Sequence, residues 1–349
     1  MEPYGVNIRP LRLTGPQFDR RAKIFRKTRH LNGLARLLNT TPQTLFVLSK
    51  IRNYHAFRVP KRNGKLRLIE NPNDDLKKLQ SRLAFYLQAV YHAQRPQCAY
   101  GFIRSTVEEA DLDGARNIYS NALRHIESKW VLNLDLSDFF HSIDYRRIRQ
   151  LFGATPFRFV REAADCLTGL TTYRGRLPMG APTSPVLSNL VCVEMDHALI
   201  ALARRHGWVY TRYADDMTFS SNQKFRKKAL REIRATIQEH RFVINERKWK
   251  LRKRGRGKPA EVTGLILKGR KPDLQPGYLR ETRREIELYH YLSSEEMRRR
   301  KVIDEAGLKR LRQSIIGRIN FVGFVRGDHH KSFHRLRSAM KLSNRLRLD

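Results

Sequence analysis

Two neighbouring aspartates, Asp215 and Asp216, close the string Tyr213-Ala214-Asp215-Asp216. Apolar runs flank it, Trp208-Val209-Tyr210 before and Met217-Thr218-Phe219 after, the pattern of a tight hairpin with both carboxylates at its turn. Adjacent carboxylates repel, so a fold gains nothing from the pair itself, whereas a divalent cation offsets the repulsion. A second acidic string, Asn133-Leu134-Asp135-Leu136-Ser137-Asp138-Phe139-Phe140, ends another candidate strand. Alternation places Asp135 on the face opposite Leu134 and Leu136. Asp138 and Asp144 read as helix-capping residues.

The surrounding pattern supplies the elements that would hold these groups. A strand over residues 130–136 is followed by short helices over about 144–168. A longer helix opens at Ser184-Pro185, cap plus proline, with Leu187, Leu190, Met195, Leu199 and Leu202 among its apolar positions. After the hairpin comes a helix with Phe225, Ala229, Ile233 and Ile237 on one face, then strands Phe242-Val243-Ile244 and 262–267. This β-α-β-β-α-β order predicts a split ferredoxin-like sheet with helices on one face. In that sheet the first strand pairs beside the hairpin, bringing Asp135 next to Asp215. Three carboxylates on a sheet surface make an all-oxygen site suited to two Mg²⁺ ions, for which Mn²⁺ can substitute. One ion would lower the pKa of an attacking hydroxyl; the other would hold a triphosphate and stabilise the leaving pyrophosphate. The Leu136 carbonyl is a further candidate ligand.

Charge points the same way. Among 349 residues, 70 Lys and Arg face 33 Asp and Glu, a formal net charge of +37. With an ordinary hydrophobic fraction, this describes a folded protein of two or three subdomains with a polyanionic partner, nucleic acid first of all. No Lys/Arg cluster flanks a long apolar segment, and 186–203 contains Ser188, Asn189, Glu194, Asp196 and His197, which excludes a membrane span there. Cys98, Cys166 and Cys192 are far apart, arguing against disulfides and structural zinc and for a reducing cytoplasm. The N-terminus lacks an apolar signal core.

Residues 18–55 read as basic helices, one opened by Thr41-Pro42; the segment 34–45 also resembles a helix-turn-helix, for which two short amphipathic helices are the commoner explanation. Strands 57–60 and 66–69 flank the turn Arg62-Asn63-Gly64, a helix covers about 74–93, and 107–116 reads as a loop or insertion. After Gly277 the pattern is all helix, with Arg and Lys on the outer faces. The run 247–258 carries eight basic residues, and Trp249 within it favours phosphate-backbone contact over a merely solvated loop.

The strings Asp135…Phe140, Leu177-Pro178-Met179-Gly180-Ala181-Pro182-Thr183-Ser184-Pro185, Tyr213…Asp216 and Asn245…Lys248 occur in the order found in reverse transcriptases. Asn121-Ala122-Leu123-Arg124-His125 and Val262-Thr263-Gly264 resemble the signatures of retron reverse transcriptases, and the likeness covers about 57–325. It implies an α+β right-hand polymerase: N-terminal helices over 1–56, fingers over 57–129, a ferredoxin-like palm over 130–270 (part of 145–183 contributing to the fingers) and a helical thumb over 271–349.

The resemblance implies roles residue by residue. Asp135, Asp215 and Asp216 would be the catalytic metal-binding triad, with the Leu136 carbonyl assisting. Lys61 and Arg67 would grip the dNTP triphosphate, Phe140 would exclude a 2′-hydroxyl, and Met179 and Gly180 would line the nucleotide and template–primer. Asn121, His125, Tyr213, Lys248, Trp249, Arg252, Lys253 and Arg254 would contact nucleic acid. Met179 departs from the family, which has Gln there; Met offers only a flexible apolar contact, touching fidelity more than polymerisation. A retron enzyme would use a structured noncoding RNA as template and as 2′-hydroxyl primer, yield multicopy single-stranded DNA, and act with a separate effector in antiphage defence. Group II intron-like and diversity-generating reverse transcriptases are the alternatives within the family. A nucleoprotein scaffold restraining a toxin is the alternative outside enzymology.

Overall fold

Helix starts follow the capping chemistry of the chain. Gln17 accepts from the Thr14 N–H at the head of α1 (Gly15–Lys27), and Thr41 accepts from the Thr44 N–H at the head of α3 (Pro42–Lys50), with α2 (Leu31–Leu37) between them. The structure, a computed structural model, describes residues 13–345 apart from 52, 61–63, 65, 112–114, 256, 258 and 301. Strands β1 (Tyr54–Pro60) and β2 (Leu66–Pro72) form an antiparallel hairpin, and Asn73 caps α4 (Asp74–His92). The segment 107–116, expected as a loop, contains helix α5 (Val107–Asp111). The reason is a capping box: Glu109 accepts from the Thr106 N–H while Thr106 accepts from the Glu109 N–H. Helix α6 (Ile118–Leu123) follows.

Strand β3 (Trp130–Asp135) leads to α7 (Tyr145–Gly153), capped by Asp144 as expected, and α8 (Arg161–Thr171). The long apolar helix is two, α9 (Ser184–Val191) and α10 (Val193–Arg205), bent by 49°. By length and composition alone the bent pair could form a broken span, but among the described residues no single helix is long and apolar enough to cross a membrane. The hairpin β4 (Val209–Tyr213) and β5 (Asp216–Ser221) is followed by α11 (Lys227–Glu239).

The sheet has the expected antiparallel order, β4-β5-β3 and then one more strand, but that last strand is β6 (Lys250–Lys253). Phe242-Val243-Ile244 is no strand. It crosses the end of β3, its Val243 carbonyl accepting from Ser137 N–H and Asn245 N–H donating to the Asp135 carbonyl. Nor does 262–267 join this sheet. Thr263 and Gly264 both take positive φ, 47° and 85°, so the run folds back as a tight turn between β7 (Glu261–Val262) and β8 (Leu265–Lys268). With β9 (Lys271–Asp273) these make a separate sheet, and the expected palm–thumb break after residue 270 falls inside it.

Helices α12 (Tyr278–Ser293), α13 (Glu295–Arg299), α14 (Glu305–Arg326) and α15 (Lys331–Arg345) complete the chain. Two hydrophobic cores result. The larger joins the N-terminal helices, α4, α7–α11 and one face of the four-stranded sheet. The smaller joins β7, β8, Leu274 and helices α12, α14 and α15 to Ala122, Ile126 and Val131. The three cysteines are buried and free.

Candidate active site

Pairing of Tyr213 with Asp216 leaves Ala214-Asp215 as a two-residue turn, with Ala214 at φ 59°. On the other side of β5, Asp135 is the register partner of Asp216, and Leu136 N–H donates to the Asp215 carbonyl (3.1 Å). All three carboxylates therefore gather at one sheet end, as the expected pairing of the first strand beside the hairpin predicted. Asp135 is 8% exposed; Asp215 and Asp216 are half-buried. Burial, then the charges of its neighbours, pushes Asp215 up to about 6 and Asp216 up to about 7. Among the described residues, the ammonium on the trio is that of Lys248, whose Nζ lies 2.6 Å from Asp135 Oδ1. Burial pulls its pKa down, but the Asp135 hydrogen bond and the surrounding carboxylates prevail and raise it. Among the described residues no group of three or more His, Cys, Asp or Glu side chains is arranged to hold a metal ion.

What holds the turn is a buried network that sequence reasoning missed. Arg212 forks onto Asp196 (Nε 2.9 Å, Nη2 2.7 Å), both side chains being fully buried, and Tyr210 donates to the same carboxylate (3.0 Å). Nη1 of Arg212 donates to Asn189 Oδ1 and to the Ala214 carbonyl, each at 3.0 Å, and Asn189 Nδ2 donates to the Gly101 carbonyl. Gly101 presses on the turn itself: a Cβ there would stand 2.5 Å from the Ala214 nitrogen. A lone Arg in an apolar strand and a lone Asp in an apolar helix were the available signal, since neither stays buried unpaired.

Residues 59–271, more than half of the chain, match the family described as reverse transcriptase (RNA-dependent DNA polymerase). The chain belongs to the reverse transcriptases. It is 35% identical over 237 residues to the retron Mx65 reverse transcriptase of Myxococcus xanthus, covering 62% of this chain and 52% of that one. To the retron Mx162 reverse transcriptase of the same organism it is 30% identical over 245 residues, covering 62% and 47%. To the retron Ec86 reverse transcriptase of Escherichia coli it is 34% identical over 173 residues, covering 49% and 52%. The chain spans about half the length of these curated relatives.

Around this reverse transcriptase centre the other expected residues divide. Arg67 on β2 is near enough for its charge to act on Asp215; Lys61 lies outside the described residues. The Met179 carbonyl accepts from Glu70 N–H (2.7 Å), and Gly180, at φ 132°, approaches β2 so closely that a Cβ would sit 2.8 Å from the Glu70 carbonyl oxygen. Phe140 is 4% exposed between Phe102 and Phe139, a wall rather than a freely presented ring. Tyr213 is half-buried beside the turn.

The RNA-contact expectation fails for Asn121 and His125, which are buried. His125 sits between Ser220 Oγ and Thr211 Oγ1, 2.7 Å from each, and burial, with help from Arg124, pushes it down to about 3. It braces the back of the β4–β5 hairpin. The basic run is also tied down. Arg234 stacks on Trp249 (4.0 Å) and pairs with Glu246; Arg252 donates to the Pro259 carbonyl and Arg254 to that of Gly269. Trp249 thus has one face already covered, and Lys253 lies over Trp130 (5.7 Å). Lys250–Lys253 of the run form β6, an edge strand, where lysines such as Lys250 and Lys253 discourage pairing with another chain.

Proposed function

We propose that this protein is an RNA-directed DNA polymerase of the retron type. The observation that carries the reading is the gathering of Asp135, Asp215 and Asp216 at one sheet end with Lys248 as their recorded cationic partner. The donors are all oxygen, crowded and mutually repelling, which suits two Mg²⁺ once Lys248 releases Asp135. Bound there, the ions would activate a primer hydroxyl and neutralise the leaving pyrophosphate.

The chain's own residues do the rest. Asp135, Asp215 and Asp216 hold the cations, with the Leu136 carbonyl as a further oxygen. Arg67 forks onto the triphosphate. Phe140 walls the sugar pocket against a 2′-hydroxyl, and Met179 and Gly180 line the nascent pair. The β1–β2 hairpin then belongs to the fingers, the four-stranded sheet to the palm and α12–α15 to the thumb. The substrates are dNTPs. The template is a structured noncoding RNA that also primes from a guanosine 2′-hydroxyl, and the product is multicopy single-stranded DNA joined to it. A separate effector, a cytoplasmic setting and a role in antiphage defence complete the proposal.

The test is the nucleic acid that co-purifies from cells carrying the native locus, for wild type beside Asp215→Asn/Asp216→Asn. The expected result is a discrete short DNA that shifts after RNase treatment and is absent from the variant. Polymerisation on an added RNA template and primer without such a DNA would keep the polymerase and remove the retron assignment.

A further inference from the structure

Glu70 is a buried carboxylate outside the metal-binding trio. It sits on β2, in a two-stranded hairpin whose buried positions, among the described residues, are Glu70 and Pro72. An isolated two-stranded hairpin is marginal in water, so what anchors it decides where it stands. Here the anchor is a carboxylate, an expensive group to bury and one for which an apolar side chain would serve stability as well.

Its partners explain the choice. Glu70 Oε2 lies 3.1 Å from His141 Nε2, and Oε1 accepts from Arg176 Nη2 (3.4 Å). The other ring nitrogen of His141 meets Asp138 Oδ1 at 3.0 Å, and Asp138 holds a positive φ of 46°. The backbone of Glu70 engages the Met179–Gly180 segment as described above. One residue thus ties together three stretches: the hairpin that carries Arg67, the turn that follows Asp135 and contains Phe140, and the loop before α9. Arg67 and Glu70 are three residues apart on one strand, so fixing one fixes the other.

We propose that Glu70 and His141 are positioning residues that clamp the β1–β2 hairpin and the Met179–Gly180 loop over the carboxylate site, setting the geometry of the nucleotide pocket. This rests on the polymerase reading. The clamp touches no reacting atom; it holds the residues that would touch the nucleotide, so its loss acts on nucleotide binding before it acts on chemistry.

The test pairs kinetics with hydrogen exchange on Glu70→Gln, His141→Gln and the double variant. On an added RNA template–primer, each single variant is expected to raise KM for dNTP about tenfold, with kcat within about threefold of wild type. The double variant is expected to be little worse than either single, because both break one contact. In the metal- and nucleotide-free protein, amide exchange across 54–72 is expected to rise about tenfold while the four-stranded sheet keeps its protection. Unchanged exchange across 54–72 in a folded variant overturns the clamp, whatever the activity. So does an unchanged KM in an active one. A wild-type protein that incorporates no dNTP removes the polymerase reading, and the exchange experiment still decides the clamp. Should Glu70→Gln not fold, His141→Gln, which alters the less buried partner, tests the same contact.

Discussion

Two acidic sites share the β4–β5 hairpin, and they are built on opposite terms. Behind the turn, Asp196 is answered in full by the Arg212 fork and the Tyr210 hydroxyl in a dry setting. At the turn, three carboxylates crowd together with Lys248 drawn onto one of them. The first charge is finished by the protein; the second is left for something that arrives later. The comparison teaches that the same side chain serves structure when its partner is covalently part of the fold, and chemistry when its partner is withheld. The completed pair sits where it steadies the incomplete one, through the Arg212 bond to the Ala214 carbonyl.

Four substitutions or conditions would break or sharpen that contrast. The largest effect belongs to Asp215→Asn. DNA synthesis in a primer-extension assay should fall about a thousandfold or more, since several kcal/mol of metal-assisted stabilisation is removed. Its thermal midpoint without metal should be no lower than wild type, because a repulsion is relieved. Arg212→Met reverses the pattern. Leaving Asp196 buried and unpaired should lower the unfolding free energy by about 3–5 kcal/mol in urea titrations. If Arg212→Met were as stable as wild type, the two sites would not differ in the way described.

Gly101→Ala comes next. The fold should survive, but the Ala214-Asp215 turn must shift, and kcat should drop about a hundredfold. Normal kcat would mean the turn tolerates the displacement.

The smallest effect is on pH. A carboxyl held above its usual value keeps its proton in the fold after the unfolded chain has lost its own. That contribution is complete below the ordinary value of 3.8 and disappears as pH rises through about 6 and about 7. Metal-free protein should therefore lose stability from these groups across that window. Added Mg²⁺ should raise the melting temperature by a few degrees more at pH 8 than at pH 5, an order-of-magnitude expectation from linkage. Equal shifts at both pH values would show that the trio does not bind the ion as carboxylates.

The carboxylate end of the sheet was legible because its signals are local and periodic. A period of two places Asp135, and the aromatic and β-branched runs around Asp215-Asp216 define a hairpin. What stayed hidden depends on partners distant in sequence. Lys250–Lys253 reads as a basic, phosphate-contacting loop because an edge strand needs no apolar face to mark it, whereas 262–267 reads as a further strand of the same sheet because its apolar side chains are covered by the helical C-terminal region. The break between α9 and α10 at Cys192 carries neither Pro nor Gly. Asn121 and His125 read as RNA contacts because the retron resemblance places that string against structured RNA; only the fold reveals that Ser220 and Thr211 wait for the imidazole inside. Glu70, six residues after the Arg62-Asn63-Gly64 turn of a charged hairpin, gave no sign of being its buried anchor.

One strand serves as the datum for the whole molecule. The even-numbered residues of β3, Leu132 and Leu134, are set in the larger core, while Val131 on the other face is set in the smaller one. Val131 and Asp135 lie on that same second face, four residues and about 13 Å apart at strand rise. The helices that would grip a duplex and the carboxylate that would act on its end are thus surveyed from a single ruler, rooted in one and tipped by the other. A repacked α12–α15 core would be felt at Asp135 as a change of alignment, with no residue of the site itself altered.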